Sequence, residues 1–495
     1  MLKPLTTLLF LFTFVAFAAD IPAQTPSLTP TPKATTVTGK DPIIIIPGIS
    51  GSELINPKTG KKVWFSVKRD KDDDIRLPMS SPVFTSDRDN LRVGDIIREV
   101  KLPVLPDVEV YQTLIDALIE RGYSEGDWKH PKATDVFYIF AYDWRRDNVE
   151  SAQLLMQRML SVKRALRKPN LKFNILAHSM GGLIARYAAM YGSADLPRNG
   201  AAPVPTWAGA SHINKLMMFG TPNEGAFSSF DALINGYPIV ADRKLPFIDD
   251  LRPEDVISSP AAFQLLPHEG SARFLDENLQ PIQIDIYDPA NWTKYGWGAI
   301  GDPKFLAKLK DGDKSDLNKK ERKKIDDPKR QYYDDVLLSH TTIAQVRAFF
   351  AAALLRAKRF NLALDAPTKN VPVQLYTYGG NCEPTLNAVV LLHDEKKNEW
   401  TTLVDARDIK NSGGKTLKKD EVKAAMFAIG DGRVTASSLL PVNGTDKDGN
   451  GSPLTAIFPV ASSFFGCSSH FKLFLDKPIQ DSFLSALVVE KQKQP

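Results

Sequence analysis

The chain has 495 residues, of which 43% are hydrophobic and 24% are charged. This composition is ordinary for a globular protein and excludes disorder as its general state. The 63 Lys and Arg residues nearly balance the 58 Asp and Glu residues, so the formal net charge is only +5. Such a balance gives no support for nucleic-acid binding, which usually needs a concentrated basic face. It leaves open a weak preference for anionic membrane surfaces.

The N-terminus has the three parts of a signal peptide. Met1–Pro4 is short and positively charged, Leu5–Phe17 is apolar but short for a membrane span, and Ala16–Ala18 offers small residues for cleavage. We therefore expect residues 1–18 to be removed and the protein to be exported, either to the extracellular space or to a periplasm. An uncleaved anchor is the alternative. Residues 19–40 are rich in Pro and Thr, which is typical of a disordered linker.

From residue 41 the sequence alternates between predicted strands and predicted helices. The four isoleucines at 43–46 are apolar on both faces, which is typical of a central strand covered by helices on either side. The alternation predicts an α/β fold with a mostly parallel sheet. Further strands are predicted at 136–141, 173–177, 215–219, 371–378, 388–392, 401–404 and 424–429, and helices at 110–121, 151–166, 180–191, 341–363 and 478–490.

The middle of the chain interrupts this alternation. Residues 225–340 are irregular in pattern and include the charge run Lys304–Arg330, in which the basic segment KKERKK is flanked by aspartates. One interpretation is a solvated surface insert. The other is a lid or cap whose lysines contact phosphate headgroups.

The segment Ala177–Gly182 (AHSMGG) lies directly between a predicted strand and a predicted helix. This is the context of a nucleophile elbow, in which a sharp turn raises a serine above the sheet. Because strand and helix approach closely there, the positions on either side must be small, and Ala177 and Gly181 satisfy this. We interpret Ser179 as the nucleophile rather than as part of an ordinary turn.

Acyl chemistry at this serine needs two backbone N–H groups to stabilise the oxyanion. One is expected from Met180, which follows the serine at the start of a helix. The second usually comes from the loop after an earlier strand. The segment 47–52 (PGISGS) follows the isoleucine run, and we assign the donor to Ser50, with Ile49 as the alternative. An ordinary glycine-rich loop is the remaining interpretation.

The general base and its acid follow from chain order, which in an α/β-hydrolase is Ser, Asp, His. His470 is the last of seven histidines and lies in a loop before the final predicted helix, so we predict it as the base. Asp431 lies in a tight turn after a predicted strand, and we predict it as the acid. Asp394 and Asp405 are rivals that lack this turn.

The chain has two cysteines, Cys382 and Cys467. In an exported protein a lone pair is often a disulfide, and two buried thiols are the alternative. Cys382 follows one late predicted strand and Cys467 lies three residues before His470, so both are expected at the same edge of the sheet. A disulfide there would hold the loop of the predicted base.

Taken together, these motifs resemble the lecithin:cholesterol acyltransferase-like family. The likeness extends from about residue 41 to about residue 475, and only the combination of motifs is specific. The matching motifs are Ile45-Ile46-Pro47-Gly48, Ser52-Glu53-Leu54, Trp64, Tyr142-Asp143-Trp144-Arg145, Ala177–Gly182, Gly220-Thr221-Pro222 and Gly430-Asp431-Gly432.

The resemblance implies an α/β-hydrolase core with a lid at about 56–95 and a cap or insert at about 225–365. It implies lipid acyl esters as substrates and an acyl-enzyme whose acyl group passes to an alcohol or to water. Trp64 and Phe65 are similar to the lid segment that meets the lipid surface in relatives, although an aromatic pair in a polar loop also fits a packed anchor. The lid disulfide of animal relatives is absent, since no cysteine lies near these residues.

We expect neither a cofactor nor a metal. The segment 446–452 (DKDGNGS) resembles the start of a calcium-binding loop, but position 457 is Ile instead of Glu, so a polar turn is the better interpretation. The leading hypothesis is a secreted lipid O-acyltransferase or phospholipase A-type acyl hydrolase that acts at a lipid or membrane surface. The alternatives are a triacylglycerol lipase or carboxylesterase, and a non-catalytic lipid-binding protein with a hydrolase fold.

Overall fold

The computed structural model describes most of the chain from residue 39 onward. The predicted signal peptide, the linker up to residue 38, the segment 446–452 and most of 317–330 in the charge run lie outside the described residues. Within the described part, no helix is long and apolar enough to cross a membrane. The described residues are 39–66, 73–82, 89, 91–100, 108–197, 200–201, 203–237, 250–268, 272–316, 319, 338, 340–366, 368, 371–440 and 460–488.

A seven-stranded sheet forms the centre of the unit made by residues 41–495. In chain order its strands are β1 (Ile43–Ile46), β2 (Ser124–Glu125), β3 (Val136–Ile139), β4 (Phe173–His178), β5 (Ile213–Phe219), β6 (Gln374–Gly380) and β7 (Ser462–Gly466). Their order across the sheet is β7-β6-β5-β4-β1-β3-β2, and every neighbouring pair is parallel. The predicted α/β class with a mostly parallel sheet is therefore confirmed.

Helices cover both faces of the sheet, as the isoleucine run predicts. The helices concerned are α1 (Gln112–Glu120), α2 (Asn148–Ala165), α3 (Met180–Tyr191), α4 (Ile343–Leu364) and α5 (Lys477–Val488). Ile43 and Ile45 share an apolar cluster with α1 and α5, whereas Ile44 and Ile46 share another with α2, α3 and α4, and all four side chains are at most 1% exposed. Burial on both faces explains why β1 has no polar position.

The remaining described elements are short and lie outside the central sheet. Two of the predicted late strands pair with each other in a separate four-stranded sheet rather than extending the central one. The remaining helices are Phe227–Asn235, Pro253–Val256, Pro260–Phe263, Pro289–Lys294, Pro303–Ala307, Lys419–Met426 and Ala436–Leu439, with 3₁₀ turns at Ala210–His212, Ala299–Gly301, Lys314–Asp316 and His470–Lys472. The remaining strands are Ser52–Ile55, Lys62–Trp64, Arg92–Ile96, Glu99–Val100, Val108–Glu109, Phe274–Leu275, Pro281–Ile282, Glu383–Leu386, Val389–Asp394, Glu399–Leu403, Ile409–Lys410, Thr416–Leu417 and Phe427–Gly430.

The strand predicted at 424–429 is wrong in its first half. The helix Lys419–Met426 extends through this segment, and only Phe427–Gly430 is extended. The helix begins with a cap in which the backbone N–H of Lys418 donates to the Glu421 carboxylate at 2.8 Å. Alanine and methionine have high helix propensity. The residues of the last helical turn therefore continue the capped helix instead of forming a strand with the apolar residues that follow.

Strand β7 is absent from the sequence-based expectations, which assign no element to residues 462–465 and a loop to residues 466–471. Its residues are SSFFG, and its exposed or half-exposed side chains reflect its position at the edge of the sheet. A five-residue strand with two serines carries little periodic signal. Its identity depends on pairing with β6, where Gly380 lies opposite Gly466.

This pairing brings the two cysteines together. Cys382 lies two residues after β6, Cys467 lies one residue after β7, and the structure joins them by a disulfide with their Cα atoms 5.0 Å apart. The disulfide thus ties the segment after β6 to the loop that leads into His470.

We predict that Cys382→Ser, Cys467→Ser and the double variant are each less stable than the unaltered chain by the same amount, about 2–4 kcal/mol. The reason is that each removes the same crosslink, which joins positions 85 residues apart. Urea unfolding without reductant measures the loss. Peptide mapping that finds two free thiols in the unaltered chain, or single variants whose effects add in the double variant, would contradict the crosslink.

Candidate active site

Ser179 lies at the turn between β4 and α3, above the carboxyl end of the sheet. Its backbone has φ 52° and ψ −125°, a strained conformation for a residue with a side chain, and Ser179 is 7% exposed. Its own N–H donates to the carbonyl of Phe219 on the neighbouring strand β5 at 2.7 Å. This is the geometry expected of a nucleophile elbow.

Small residues make this turn possible. A Cβ on Gly181 would lie 2.6 Å from the carbonyl oxygen of Pro47, and one on Gly48 would lie 2.8 Å from the Cβ of Ser179. Ala177, the small residue before the turn, is fully buried. The loop after β1 and the start of α3 therefore lie so close to Ser179 that neither Gly48 nor Gly181 has room for a side chain.

His470 and Asp431 complete a hydrogen-bonded chain with this serine. The Nε2 of His470 is 3.0 Å from the Oγ of Ser179, and its Nδ1 is 2.8 Å from Oδ2 of Asp431. All three side chains are buried: His470 is 6% exposed, Asp431 is 2% exposed and Ser179 is 7% exposed. Because an ionised carboxylate only accepts, Asp431 holds the proton of the imidazole on Nδ1 and leaves Nε2 free to accept from the serine.

Asp431 is itself oriented by its turn. Its Oδ1 accepts hydrogen bonds from the backbone N–H groups of Arg433 and Val434 at 2.9 and 2.7 Å, so Oδ2 is presented to the histidine. Its carbonyl accepts from the His470 N–H at 2.8 Å, which joins the two backbones directly. The rivals do not contact His470: the Asp394 carboxylate accepts from the Lys396 N–H, and Asp405 is exposed.

The loop after β1 lies beside the serine, where an oxyanion donor is needed. Ser50 has a left-handed φ of 61°, and its carbonyl accepts a hydrogen bond from the indole of Trp64 at 2.7 Å. On the other side, Met180 is the first residue of α3, where backbone N–H groups have no acceptor within the helix. The structure therefore brings both predicted donor segments to Ser179, and Ser50 and Ile49 both remain candidates.

Trp64 is packed rather than exposed in this structure. It is 2% exposed, and its ring lies 5.2 Å from that of Trp144 and 5.7 Å from that of Phe65. Phe65 is half-buried. Of the two interpretations made from the sequence, the conformation here corresponds to an anchor that supports the loop of Ser50.

The motif Tyr142-Asp143-Trp144-Arg145 provides a second anchor, made of charged groups. Arg145 is 1% exposed, and its guanidinium contacts Asp143 at 2.8 Å, Asp89 at 2.5 Å and the Ile75 carbonyl at 2.8 Å. Asp89 and Ile75 belong to the predicted lid region. Burial raises the pKa of Asp89, and the adjacent guanidinium opposes this change.

Two buried residues next to the serine were not singled out from the sequence. Tyr111 and His178 are 2% and 5% exposed, and the Tyr111 hydroxyl is 2.8 Å from Nδ1 of His178. Burial, and then the neighbouring His470, hold the pKa of His178 well below its usual value, so its ring is neutral. The sequence signal for His178 was its place directly before Ser179, whereas Tyr111 carried none.

No group of three or more His, Cys, Asp or Glu side chains suitable for a metal ion occurs among the described residues. A parallel sheet with helices on both faces, and a serine elevated on a strand–helix turn, define an α/β-hydrolase fold.

Comparison with known proteins gives a family match over part of the chain. Residues 91–279, which include the elbow, match the family model described as lecithin:cholesterol acyltransferase. This confirms the resemblance stated from the sequence, and it places the protein in general terms among the lipid acyl hydrolases and acyltransferases. No curated protein matches the chain closely enough to count as a relative.

Similarities to solved structures are weak. The Tle4–Tli4 complex is 14% identical with a TM-score of 0.43, covering 90% of this chain and 97% of that chain. The lipase BlEst2 of Bacillus licheniformis in its mature form is 11% identical with a TM-score of 0.35, covering 93% of this chain and 96% of that chain.

Gly220 provides a test of how closely His470 must be held. It has φ +57°, and a Cβ there would lie 2.9 Å from Nδ1 and Cε1 of His470. We predict that Gly220→Ala lowers the rate at which a fluorophosphonate labels Ser179 by about tenfold to 100-fold, because the imidazole is displaced from the serine. Mass spectrometry of the labelled protein over time gives the rate.

Gly60→Ala is the matched control. Gly60 also has a positive φ, of +71°, but a Cβ there would meet nothing within 4 Å. The control therefore carries the backbone strain without the contact. Equal labelling rates for the two variants would contradict the predicted role of the Gly220 contact.

Proposed function

We propose that this protein is an exported serine O-acyltransferase or phospholipase A-type acyl hydrolase that forms an acyl-enzyme on Ser179. The observation that carries the proposal is the hydrogen-bonded chain from Ser179 Oγ through His470 to Asp431, built on an elbow within the matched region 91–279. The triad order along the chain and the burial of all three side chains support it further.

The proposed reaction begins when Ser179 Oγ attacks the carbonyl carbon of a lipid ester. His470 Nε2 takes the hydroxyl proton, and Asp431 stabilises the resulting imidazolium. The negative oxygen of the tetrahedral intermediate accepts hydrogen bonds from Met180 N–H and from Ser50 or Ile49 N–H. Collapse of the intermediate expels the lipid alcohol, which receives the proton from His470.

The second half of the reaction repeats these steps with a new nucleophile. An alcohol or a water molecule attacks the acyl-enzyme and gives its proton to His470. Collapse of the second intermediate breaks the bond between the acyl carbon and Ser179 Oγ, and Oγ receives the proton back from His470. The choice between transfer and hydrolysis depends on how well the site admits the alcohol and excludes water. The same intermediate serves both outcomes, so the serine, histidine and aspartate have the same roles in each.

Several features support action on lipids outside the cell. The first 18 residues have the pattern of a signal peptide, and a disulfide is typical of an oxidising compartment. We propose that the region of Trp64 and Phe65, in which Trp64 is packed in this structure, rearranges when the protein meets a lipid surface. The lysines within 304–330 are candidates for contact with phosphate headgroups.

We predict that Ser179→Ala lowers ester turnover by at least about 10⁴-fold, because the attacking oxygen is removed. Asp431→Asn should lower kcat by about 10⁴-fold, since an amide that donates to Nδ1 would leave the proton on Nε2. Asp405→Asn, at an exposed position, is the control and should change little. Hydrolysis of a soluble p-nitrophenyl ester by the folded variants is the measurement, and near-normal turnover by Ser179→Ala would refute the site.

The substrate and acceptor are tested by product analysis. Purified protein is given phosphatidylcholine vesicles with labelled acyl chains, with and without a sterol or a long-chain alcohol, and separately a labelled triacylglycerol emulsion, each beside Ser179→Ala. Label in a new ester identifies a transferase, and label only in free fatty acid identifies a phospholipase. Release from triacylglycerol but not from phosphatidylcholine would contradict the proposed substrate and favour a triacylglycerol lipase.

A further inference from the structure

A second chain of hydrogen bonds runs behind Ser179 and joins the two loops on either side of it. The Gly48 N–H donates to the Tyr111 hydroxyl at 2.8 Å, and that hydroxyl is 2.8 Å from Nδ1 of His178. The Nε2 of His178 is 3.2 Å from the carbonyl oxygen of His470. The chain therefore begins in the loop of the candidate oxyanion donors and ends at the backbone of the candidate base.

The direction of each hydrogen bond follows from the chemistry of the partners. A carbonyl oxygen only accepts, so the proton of the neutral His178 ring must be on Nε2. Nδ1 is then an acceptor and receives the hydroxyl proton of Tyr111. The hydroxyl oxygen is left to accept from the Gly48 N–H, and every group in the chain is satisfied once.

Because Tyr111 and His178 are buried, this arrangement restricts the positions that the two loops can take. Tyr111 and His178 lie against the ring of Phe474, with centroids 5.9 and 5.5 Å away, and both are almost inaccessible to water. A buried polar group that loses its partner costs about 1–3 kcal/mol. A shift of either loop away from Ser179 would break one of these hydrogen bonds, so the hydrogen-bonded series opposes such a shift.

The position of the two loops makes the chain relevant to the chemistry. Gly48, at one end, lies against the Cβ of Ser179. His470, at the other end, accepts from His178 through its carbonyl and contacts Ser179 Oγ through its ring. The rings of His178 and His470 are 4.8 Å apart. A neutral His178 therefore places no second positive charge beside the imidazolium that the proposed reaction forms.

We infer that Tyr111 and His178 are positioning residues that hold the oxyanion loop and His470 at fixed places on either side of Ser179. The inference rests on the proposed function, because positioning is measured through acylation of the serine. Neither residue touches the reacting atoms. They act through the Gly48 N–H and the His470 carbonyl.

The test uses four variants of the full chain. Tyr111→Phe removes the hydroxyl. His178→Asn places an amide near Nδ1 that can still contact Tyr111 but does not reach the His470 carbonyl, whereas His178→Gln places an N–H near Nε2 that can. Tyr191→Phe is the matched control, because its buried hydroxyl donates at 2.7 Å to a carbonyl remote from the site, that of Ala363.

The readouts are kcat and KM for a soluble p-nitrophenyl ester, normalised to the folded fraction from near-UV circular dichroism. We expect Tyr111→Phe and His178→Asn to lower kcat by about tenfold to 100-fold with KM within about twofold, as small displacements of reacting groups do. His178→Gln should recover much of the loss. Tyr191→Phe should keep the kcat of the unaltered chain.

The outcomes separate this inference from the proposed function. If the unaltered chain is inactive and Ser179 is not labelled by a fluorophosphonate, the proposed function fails. If the unaltered chain is active and Tyr111→Phe and His178→Asn keep the kcat of Tyr191→Phe, or lower it no more than His178→Gln does, the positioning role is overturned.

A spectroscopic measurement on the unaltered chain tests the arrangement even if the variants do not fold. In the unaltered chain labelled with ¹⁵N-histidine, the inference requires a neutral His178 with its proton on Nε2 at neutral pH. The nitrogen shifts of the ring distinguish the two tautomers, and the signal missing from His178→Gln gives the assignment. A proton found on Nδ1 would overturn the arrangement without any activity measurement.

Discussion

The close approach of a strand–helix turn to the loop after β1 is the constraint on which this structure depends. Ser179 adopts a left-handed backbone, and the space around it leaves no place for a Cβ on Gly48 or Gly181. Such strain persists only when the surroundings hold it, and here the Ser179 N–H is bound to β5 while the strand below is buried on both faces. The buried strand beneath Ser179 and the hydrogen bond to β5 thus hold its backbone in this conformation.

Around this turn, two histidine rings have different hydrogen-bond partners. His470 faces a carboxylate through Nδ1 and a hydroxyl through Nε2, which is the arrangement that the proposed role of general base requires. His178 faces a hydroxyl through Nδ1 and a carbonyl through Nε2, and its pKa is held low by burial and by the other ring. The surroundings of each ring, rather than the chemistry of imidazole itself, thus distinguish the two histidines.

Much of the site could be predicted because its signals are local. The strand, the small residues and the helix around Ser179 are contiguous in the sequence, and Asp431 was recognised by the turn in which it lies. Where the local signal is weak or misleading, the sequence predicts the wrong element or none. The strand expected at 424–429 begins as a capped helix, and β7 is a strand only because it pairs with β6.

The sequence by itself determined the class of the protein: an α/β-hydrolase fold with a serine on an elbow, in a chain that resembles the lecithin:cholesterol acyltransferase family. These features depend on side-chain periodicity and on the small residues that a sharp turn requires. Only the tertiary structure decided that Trp64 is buried beneath the loop of Ser50, and that Tyr111 and His178 link that loop to His470. The physical reason is that these contacts join residues up to 292 positions apart, and only the order of the parallel strands brings them to one edge of the sheet.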